Sequence, residues 1–313
     1  MAASGDPVER GGYASPSYAQ SLAEFGAVRE LPRSGGSLLV RAIDGGANLR
    51  DAMACYPLFS CRDWSELGAD LDELRDALVS IALVTDPFAD VTPAELERAF
   101  PDVCYEYKQH YVVDLTRPLE SVIGSHHRRN VRKAGRAEEV RQEPASAELL
   151  ATWQSLYSNL IARHGITGIA RFSPGSFTMQ MSAPGFAAFS AVAEGETCGV
   201  TLWYVDRGVA YYHLAAYSER GYEAGASFAL FWEALSHFAK SGVRWAALGA
   251  GAGTNASDSG LTRFKQGWAT GTRPVYFCGR VLQAEAYHRL SAGRDAADGF
   301  FPAYRAPQLK AAS

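Results

Sequence analysis

No run of this sequence is apolar for long enough to cross a bilayer. A long uncharged stretch, Phe172 to Ala193, is interrupted by two prolines and two glycines, which marks a buried helix followed by a strand. The basic-then-apolar order of a secretory signal is also missing, so the expected location is the cytoplasm. Cysteine is scarce. The five residues, at 55, 61, 104, 198 and 278, are odd in number and lack metal-type spacing, which argues against a disulfide framework or a zinc site. They are expected to be reduced thiols without a chemical role, and no metal is expected. Charge is in short supply as well: 20% of residues are charged and the net charge is -4. That excludes a dedicated nucleic-acid binder and leaves any such contact to a local patch.

What is present can fill two cores, since 313 residues at 47% hydrophobic content exceed what one domain usually buries. Residues 1–34, rich in Ala, Ser, Gly and Pro, read as a flexible leader. Leu38 to Ile43 predicts the first strand. A helix over Asp70 to Leu78, a strand over Ile81 to Val84, a helix capped by Thr92 with Glu95 three residues on, and a strand over Tyr107 to Leu115 follow. This alternation argues for an α/β or α+β domain. Leu119 to Gly135 reads as a basic helix. Between Gly124 and Arg141 six Arg or Lys stand against two Glu, a net of +4 in a chain that is negative overall.

The pattern restarts near Val140. Ala147 to His164 is an amphipathic helix with Leu150, Trp153, Leu156, Tyr157 and Leu160 on its apolar side. Strands over Phe186–Ala193, Cys198–Val205 and Val209–Tyr217 are joined by the short turns Glu194-Gly195-Glu196 and Asp206-Arg207-Gly208, so they are antiparallel neighbours. Phe228, Phe231, Trp232, Leu235 and Phe238 then recur at helical spacing, and Gly242 stands where a left-handed residue would end the helix. Arg244 to Leu248 is a short strand that runs into Gly249-Ala250-Gly251-Ala252-Gly253, where the backbone is open to close approach. Gly260-Leu261-Thr262-Arg263-Phe264-Lys265 supplies an apolar anchor and a cation beyond that strand end. A strand over Val275 to Leu282 and a helix over Glu285 to Leu290 close the pattern.

Three passages resemble a known family: Val112–Leu115 followed by Arg129–Ala134, the strand and helix from Tyr211 to Lys240, and the Leu248-Gly249 strand end followed by Gly260–Lys265. Over roughly residues 36–292 the chain is similar to GNAT N-acetyltransferases and, in detail, to the Fem-type peptidyltransferases and related bacterial GNAT-like acyltransferases. The resemblance implies an α+β fold of tandem GNAT-like domains with mixed, mainly antiparallel sheets. The expected division is a leader at 1–34, an N-terminal domain at 35–139, a C-terminal domain with the transfer site at 140–300, and a tail at 301–313. The implied reaction moves an acyl group from acyl-CoA, or an aminoacyl group from tRNA, to an amine of a small-molecule or envelope-related acceptor.

The residues fit that chemistry. Acyl transfer needs a neutral amine, donors aimed at the developing oxyanion and a place for the donor's phosphates. Backbone N–H groups at Gly249 and Gly251, with Phe264 as anchor, would line the donor. The resemblance makes Lys265 a site residue, against the alternative of a surface lysine beside a core phenylalanine. His213, mid-strand among aromatics, is a candidate base or else a core histidine. The phosphate loop of CoA-dependent relatives, Gln/Arg-x-x-Gly-x-Gly/Ala, is matched out of register by Arg220 to Ala226. Arg220, Gly225 and Ala226 are kept, and Glu223 falls where phosphate is expected. On the basic helix Arg129, Arg132 and Lys133, together with His126, His127 and Arg128, either track phosphates or form a solvated face. The rival readings are a non-catalytic GNAT-fold binding protein and, from the weak fingerprint at Gly249 to Thr254, a dinucleotide-dependent oxidoreductase.

Overall fold

A computed structural model of the chain describes residues 10–46, 48–135, 139–251, 260–292 and 299–306. The fold is α+β, with mainly antiparallel sheets flanked by helices, and the chain divides into two compact units. Neither unit is contiguous. Unit 1 takes the chain up to Tyr18, then Tyr111–Gly165 and Phe177–Thr272; unit 2 takes Ala19–His110, Ile166–Ser176 and the chain from Arg273. The sequence suggested one contiguous boundary near residue 139, but two long strands, β5 (Val103–Asp114) and β11 (Gly271–Val281), each contribute to both units.

Unit 2 holds β1 (Ala27–Glu30), β2 (Ser37–Ala42), β3 (Arg50–Ala54) and β4 (Ser80–Val84), followed in the sheet by β11. The pairs are antiparallel except β3 with β4. Its helices include α2 (Leu67–Asp72) and α3 (Pro93–Ala99). The second carries the expected capping box: the Glu95 backbone N–H donates to the Thr92 hydroxyl, and the Thr92 N–H donates to the Glu95 carboxylate at 2.7 Å. Helix α2 stops at Asp72, short of the Leu78 that apolar spacing suggested. Leu74 and Leu78 still enter the core of Leu38, Phe59, Leu71, Ile81 and Phe100 from turns. The tail is folded where it is described. Tyr304 and Arg305 are buried, and the Arg305 guanidinium donates to Asp51 Oδ1 at 2.8 Å.

Unit 1 orders its strands β5-β10-β9-β8-β7-β6. Strands β7 (Phe186–Ala193), β8 (Glu196–Asp206) and β9 (Val209–Tyr217) form two hairpins, whose tight turns place Glu194, Gly195, Arg207 and Gly208 at positive φ. The edge strand β6 (Glu139–Glu143) carries only one apolar residue, Val140, and was not foreseen. Helix α6 (Ala147–His164) begins at a Ser146 side-chain cap and ends at left-handed Gly165, buries Trp153 and Tyr157, and packs on β8 and β9. Helix α7 (Pro174–Ser182) precedes β7. Helix α9 (Ala226–Lys240) lays Leu230, Phe231, Ala234, Leu235 and Phe238 into a core with Phe189, Trp203, Leu248 and Trp268. Phe228 and Trp232, part of the expected stripe, are only half-buried at its margin.

The expected flexible leader is corrected over residues 10–34. A short helix, α1 (Pro16–Gln20), follows Tyr13, and Tyr13, Tyr18, Leu22 and Leu31 are buried. In unit 1 the Arg10 guanidinium pairs with Asp206 at 2.7 Å, and the Gly11 N–H donates to the same carboxylate. A few large side chains among small ones suffice to dock a segment, because burial of each aromatic removes about 150–250 Å² from water.

Candidate active site

Strands β9 and β10 (Trp245–Gly249) are parallel, and they pair over three residues only, ending at Ala247 opposite Tyr211. Strand β9 continues to Tyr217. Strand β10 shifts register after Ala247 and stays with β5, where Gly249 faces Tyr111. The two strands therefore part at the level of Tyr212 and Gly249, opening a wedge in the sheet. Gly249 sits at φ +75, a conformation that glycine adopts without cost, and a Cβ there would lie 3.2 Å from the Lys265 ammonium.

Helix α10 (Gly260–Trp268) presents the Phe-Lys pair to this place. Phe264 packs its ring against Phe228 and Phe231, at centroid distances of 5.2 and 4.9 Å. The next residue turns about 100° around the helix. Lys265 consequently points to the end of β10, donates to the Ala250 carbonyl at 2.7 Å and holds its ammonium 5.5 Å from the centre of the Tyr212 ring. It is 6% exposed, so it is not a surface lysine. The carbonyl and the ring face both favour a positive charge at this buried position. Gly251 follows the strand end, and Gly253 with the rest of the fingerprint to Thr254 lies outside the described residues.

His213 lies on the other face. Leu202 faces Leu214 and Trp203 faces Tyr212, so His213 is the extra residue of a bulge in β9. Tyr212 stacks toward Phe231 and Trp203, on the Lys265 side, whereas Tyr211 and His213 both meet the ring of Tyr13. The Tyr13 hydroxyl donates to His213 Nδ1 at 3.0 Å, and Nε2–H donates to the Gln180 amide oxygen at 3.1 Å. Although the side chain keeps some surface, the enclosing rings of Tyr13, Tyr18 and Tyr204 desolvate it and push its pKa down to about 3. It is a neutral imidazole at ordinary pH. Lys265 and His213, paired as catalytic candidates from sequence, are thus on opposite faces of the sheet.

The stretch read as a phosphate loop is mostly a helix, α8 (Glu219–Ala224), capped by the Ser218 hydroxyl on the Gly221 N–H. Arg220 is exposed and ion-paired with Glu194 at 2.6 Å; that partner, first by hydrogen bonding, raises the guanidinium pKa above its ordinary value. Gly225, at φ +78, ends α8 and begins α9 with no side chain capping the new helix. Ala226 is fully buried, so only its backbone can serve a ligand.

Helix α4 (Leu119–Val122) and helix α5 (Ser125–Ala134) replace the single basic helix, with Ile123-Gly124 extended between them. On α5, Arg128, Arg129, Arg132 and Lys133 are exposed. Among the described residues no carboxylate lies within ion-pair distance of Arg129, Arg132 or Lys133, whereas Arg128 donates to the Glu120 carbonyl. His127 is a correction to the basic face: it turns inward, donates from Nε2 to the Phe264 carbonyl at 2.9 Å and packs on Trp268. Burial lowers its pKa, and the bond to Phe264 opposes that. Gly267 makes room for it, because a Cβ there would lie 2.0 Å from the imidazole. Tyr13, Gln180, Tyr212 and Gly267 were missed from sequence; only Gly267, two residues after the Phe-Lys pair, carried a local signal. Among the described residues no group of three or more His, Cys, Asp or Glu could hold a metal, and no helix is long and apolar enough to cross a membrane.

Residues 125–266, from the start of α5 to just past Lys265, match the family model of an acetyltransferase (GNAT) domain. No curated protein matches the chain in sequence. Among solved structures, FemX is similar in fold at 13% identity, covering 88% of this chain and 93% of its own, with a TM-score of 0.66. A C-terminal domain described as that of a putative lysylphosphatidylglycerol synthetase from Agrobacterium fabrum matches at 15% identity, 87% and 90% coverage and a TM-score of 0.63. L-PGS from Bacillus licheniformis matches at 15% identity, 88% and 94% coverage and a TM-score of 0.56.

Proposed function

With residues 125–266 a GNAT-type acyltransferase domain, we propose that this protein transfers an acyl group from a CoA thioester, or an aminoacyl group from tRNA, to the amine of a small-molecule or envelope-related acceptor. The observation that carries the reading is Lys265, a buried cation fixed by Ala250 and Tyr212 where β9 and β10 part. In the reaction the neutral amine nitrogen attacks the acyl carbon and negative charge gathers on the carbonyl oxygen. Collapse of that intermediate breaks the bond to the thiolate or the ribose oxygen, which leaves with the proton the amine gives up. The fixed charge of Lys265 suits the oxyanion, because a preorganised donor in a water-poor site does not have to reorganise as charge develops. The neutral His213, on the other face, is assigned to support of β9.

The experiment is turnover of Lys265→Ala and Lys265→Met with an amine panel and both donor types. A fall of about 10²–10³ in kcat is expected, the usual loss for one removed oxyanion donor. Wild-type turnover in either variant would sink the role. A second reading, tRNA as the donor, is favoured by the exposed cations of α5 and by an Arg220 that is paired to Glu194. Acyl-CoA and charged tRNA are both reagents of the cytoplasm, and the reaction is assigned there.

A further inference from the structure

Two cysteines that acyl transfer does not use meet in unit 2. The Thr270 backbone N–H donates to the Val112 carbonyl at 2.9 Å, where β11 and β5 are neighbours in the sheet. The two strands run in opposite directions. Eight residues back from Val112 and eight on from Thr270 therefore bring Cys104 opposite Cys278. Two contacts agree with this register: the sulfur atoms are 3.9 Å apart, and the rings of Tyr105 and Phe277, the next opposed pair, are 5.7 Å apart. Opposed residues of an antiparallel pair have Cα atoms about 4.5–5.5 Å apart and side chains on one face. A disulfide spans Cα separations of about 4.4–6.8 Å. A bond between these two sulfurs thus calls for side-chain rotation and no movement of the strands.

The surroundings of the two thiols differ. Cys278 is fully buried in the core with Leu83, Leu96 and Phe100, whereas Cys104 sits at the margin of that core and is the one cysteine of the five that is not buried. An oxidant arriving from solvent reaches Cys104 first. Burial pushes the pKa of both thiols up, that of Cys278 further, and at Cys104 the contact with Cys278 works against the rise. We propose that Cys104 and Cys278 are a peroxide-responsive pair that closes to a reversible disulfide in the folded protein. The Cys104 thiolate attacks one oxygen of hydrogen peroxide, the O–O bond breaks, and Cys104 becomes a sulfenic acid as hydroxide leaves. The Cys278 sulfur then attacks the Cys104 sulfur, and its proton departs with the sulfenic hydroxyl as water. In all, two thiols and one peroxide give one disulfide and two waters, and a dithiol reductant reverses the change by exchange. The inference is independent of the transfer chemistry at Lys265, and its test does not read acyl transfer.

The test treats the folded full chain with hydrogen peroxide in large molar excess, quenches with catalase, unfolds the protein in guanidinium and labels the remaining thiols with iodoacetamide. Labelled thiols should fall from five to three, because one disulfide removes two of the five cysteines. A peptide joining Cys104 to Cys278 should appear in the non-reduced digest, and dithiothreitol should restore all five thiols. Cys104→Ser should keep Cys278 as a thiol under the same treatment, since its sulfur is shielded from solvent. Cys278→Ala should halt Cys104 at the sulfenic acid, captured by dimedone. If that core variant does not fold, the joined peptide and the Cys104→Ser variant decide the matter. Persistence of five thiols in the wild type, Cys104 oxidised to a sulfinic acid beside a free Cys278, or a disulfide from Cys104 to another cysteine or to a second chain would each overturn the proposal. So would loss of the Cys278 thiol in Cys104→Ser.

Discussion

His213 illustrates how little a residue's type says about its role until its surroundings are known. Enclosed by Tyr13, Tyr18 and Tyr204 and bonded to Gln180, it has a folded pKa of about 3, below the ordinary 6.5. As pH falls through 6.5 the unfolded chain takes up the proton first. Stability from this group is therefore complete above about pH 6.5 and is lost as pH falls toward 3, by at most about 1.4 kcal/mol per pH unit. Urea midpoints at pH 7.5, 6 and 5 should decline more steeply for the wild type than for His213→Gln; parallel declines would refute the assignment. Lys265 makes the complementary point. Its place in the Phe-Lys pair was legible in the sequence, but its burial and its bond to Ala250 depend on a strand end fifteen residues earlier.

Among the elements, α5 shows where periodicity succeeds and where it stops. Its outward cations were visible as a cluster, and its inward His127 was not separable from them, since neighbours in sequence point to different sides of a helix. If tRNA is the donor, changing Arg129, Arg132 and Lys133 to Gln should weaken binding and lower the slope of log Kd against log salt by about 2–3, because each cation that no longer meets a phosphate removes about one released counterion. If CoA is the donor, that triple change should leave binding unaltered, and Gly225→Val should abolish it, because only glycine holds φ +78 at the start of α9 without strain. Binding curves for both ligands at two salt concentrations separate the cases. Unaltered binding of both donors in both variants would exclude α5 and the α9 terminus together.

For the whole molecule, the division into units is a matter of pairing and not of sequence order. Unit 1 needs the Tyr111–Asp114 end of β5 beside β10, and it needs Tyr13 and Tyr18 against β9. A fragment of residues 140–300, the C-terminal domain expected from sequence, lacks all of these. It should show helical far-UV ellipticity with little near-UV signal and should bind ANS, the signature of a compact state without fixed packing. A cooperative thermal transition with native near-UV ellipticity in that fragment would contradict the description of unit 1.

The sequence alone determined those elements whose signals are local. The capped helix at Thr92, the helix from Ala147 to His164, the two hairpins from Phe186 to Tyr217 and the helix ending before Gly242 were all legible, because caps, turns and amphipathic stripes act within a few residues. The acyltransferase family resemblance shared only the Tyr211–Lys240 stretch with these and otherwise rested on Val112–Leu115 with Arg129–Ala134 and on Leu248-Gly249 with Gly260–Lys265. Tertiary structure alone decided what depends on distant partners. The short pairing of β9 with β10 that opens the wedge, the opposite faces of Lys265 and His213, the inward turn of His127 onto Trp268 and the docking of Tyr13 each join residues far apart in the chain. No local pattern records such contacts, because a side chain's burial is set by whichever strand or helix the fold lays against it.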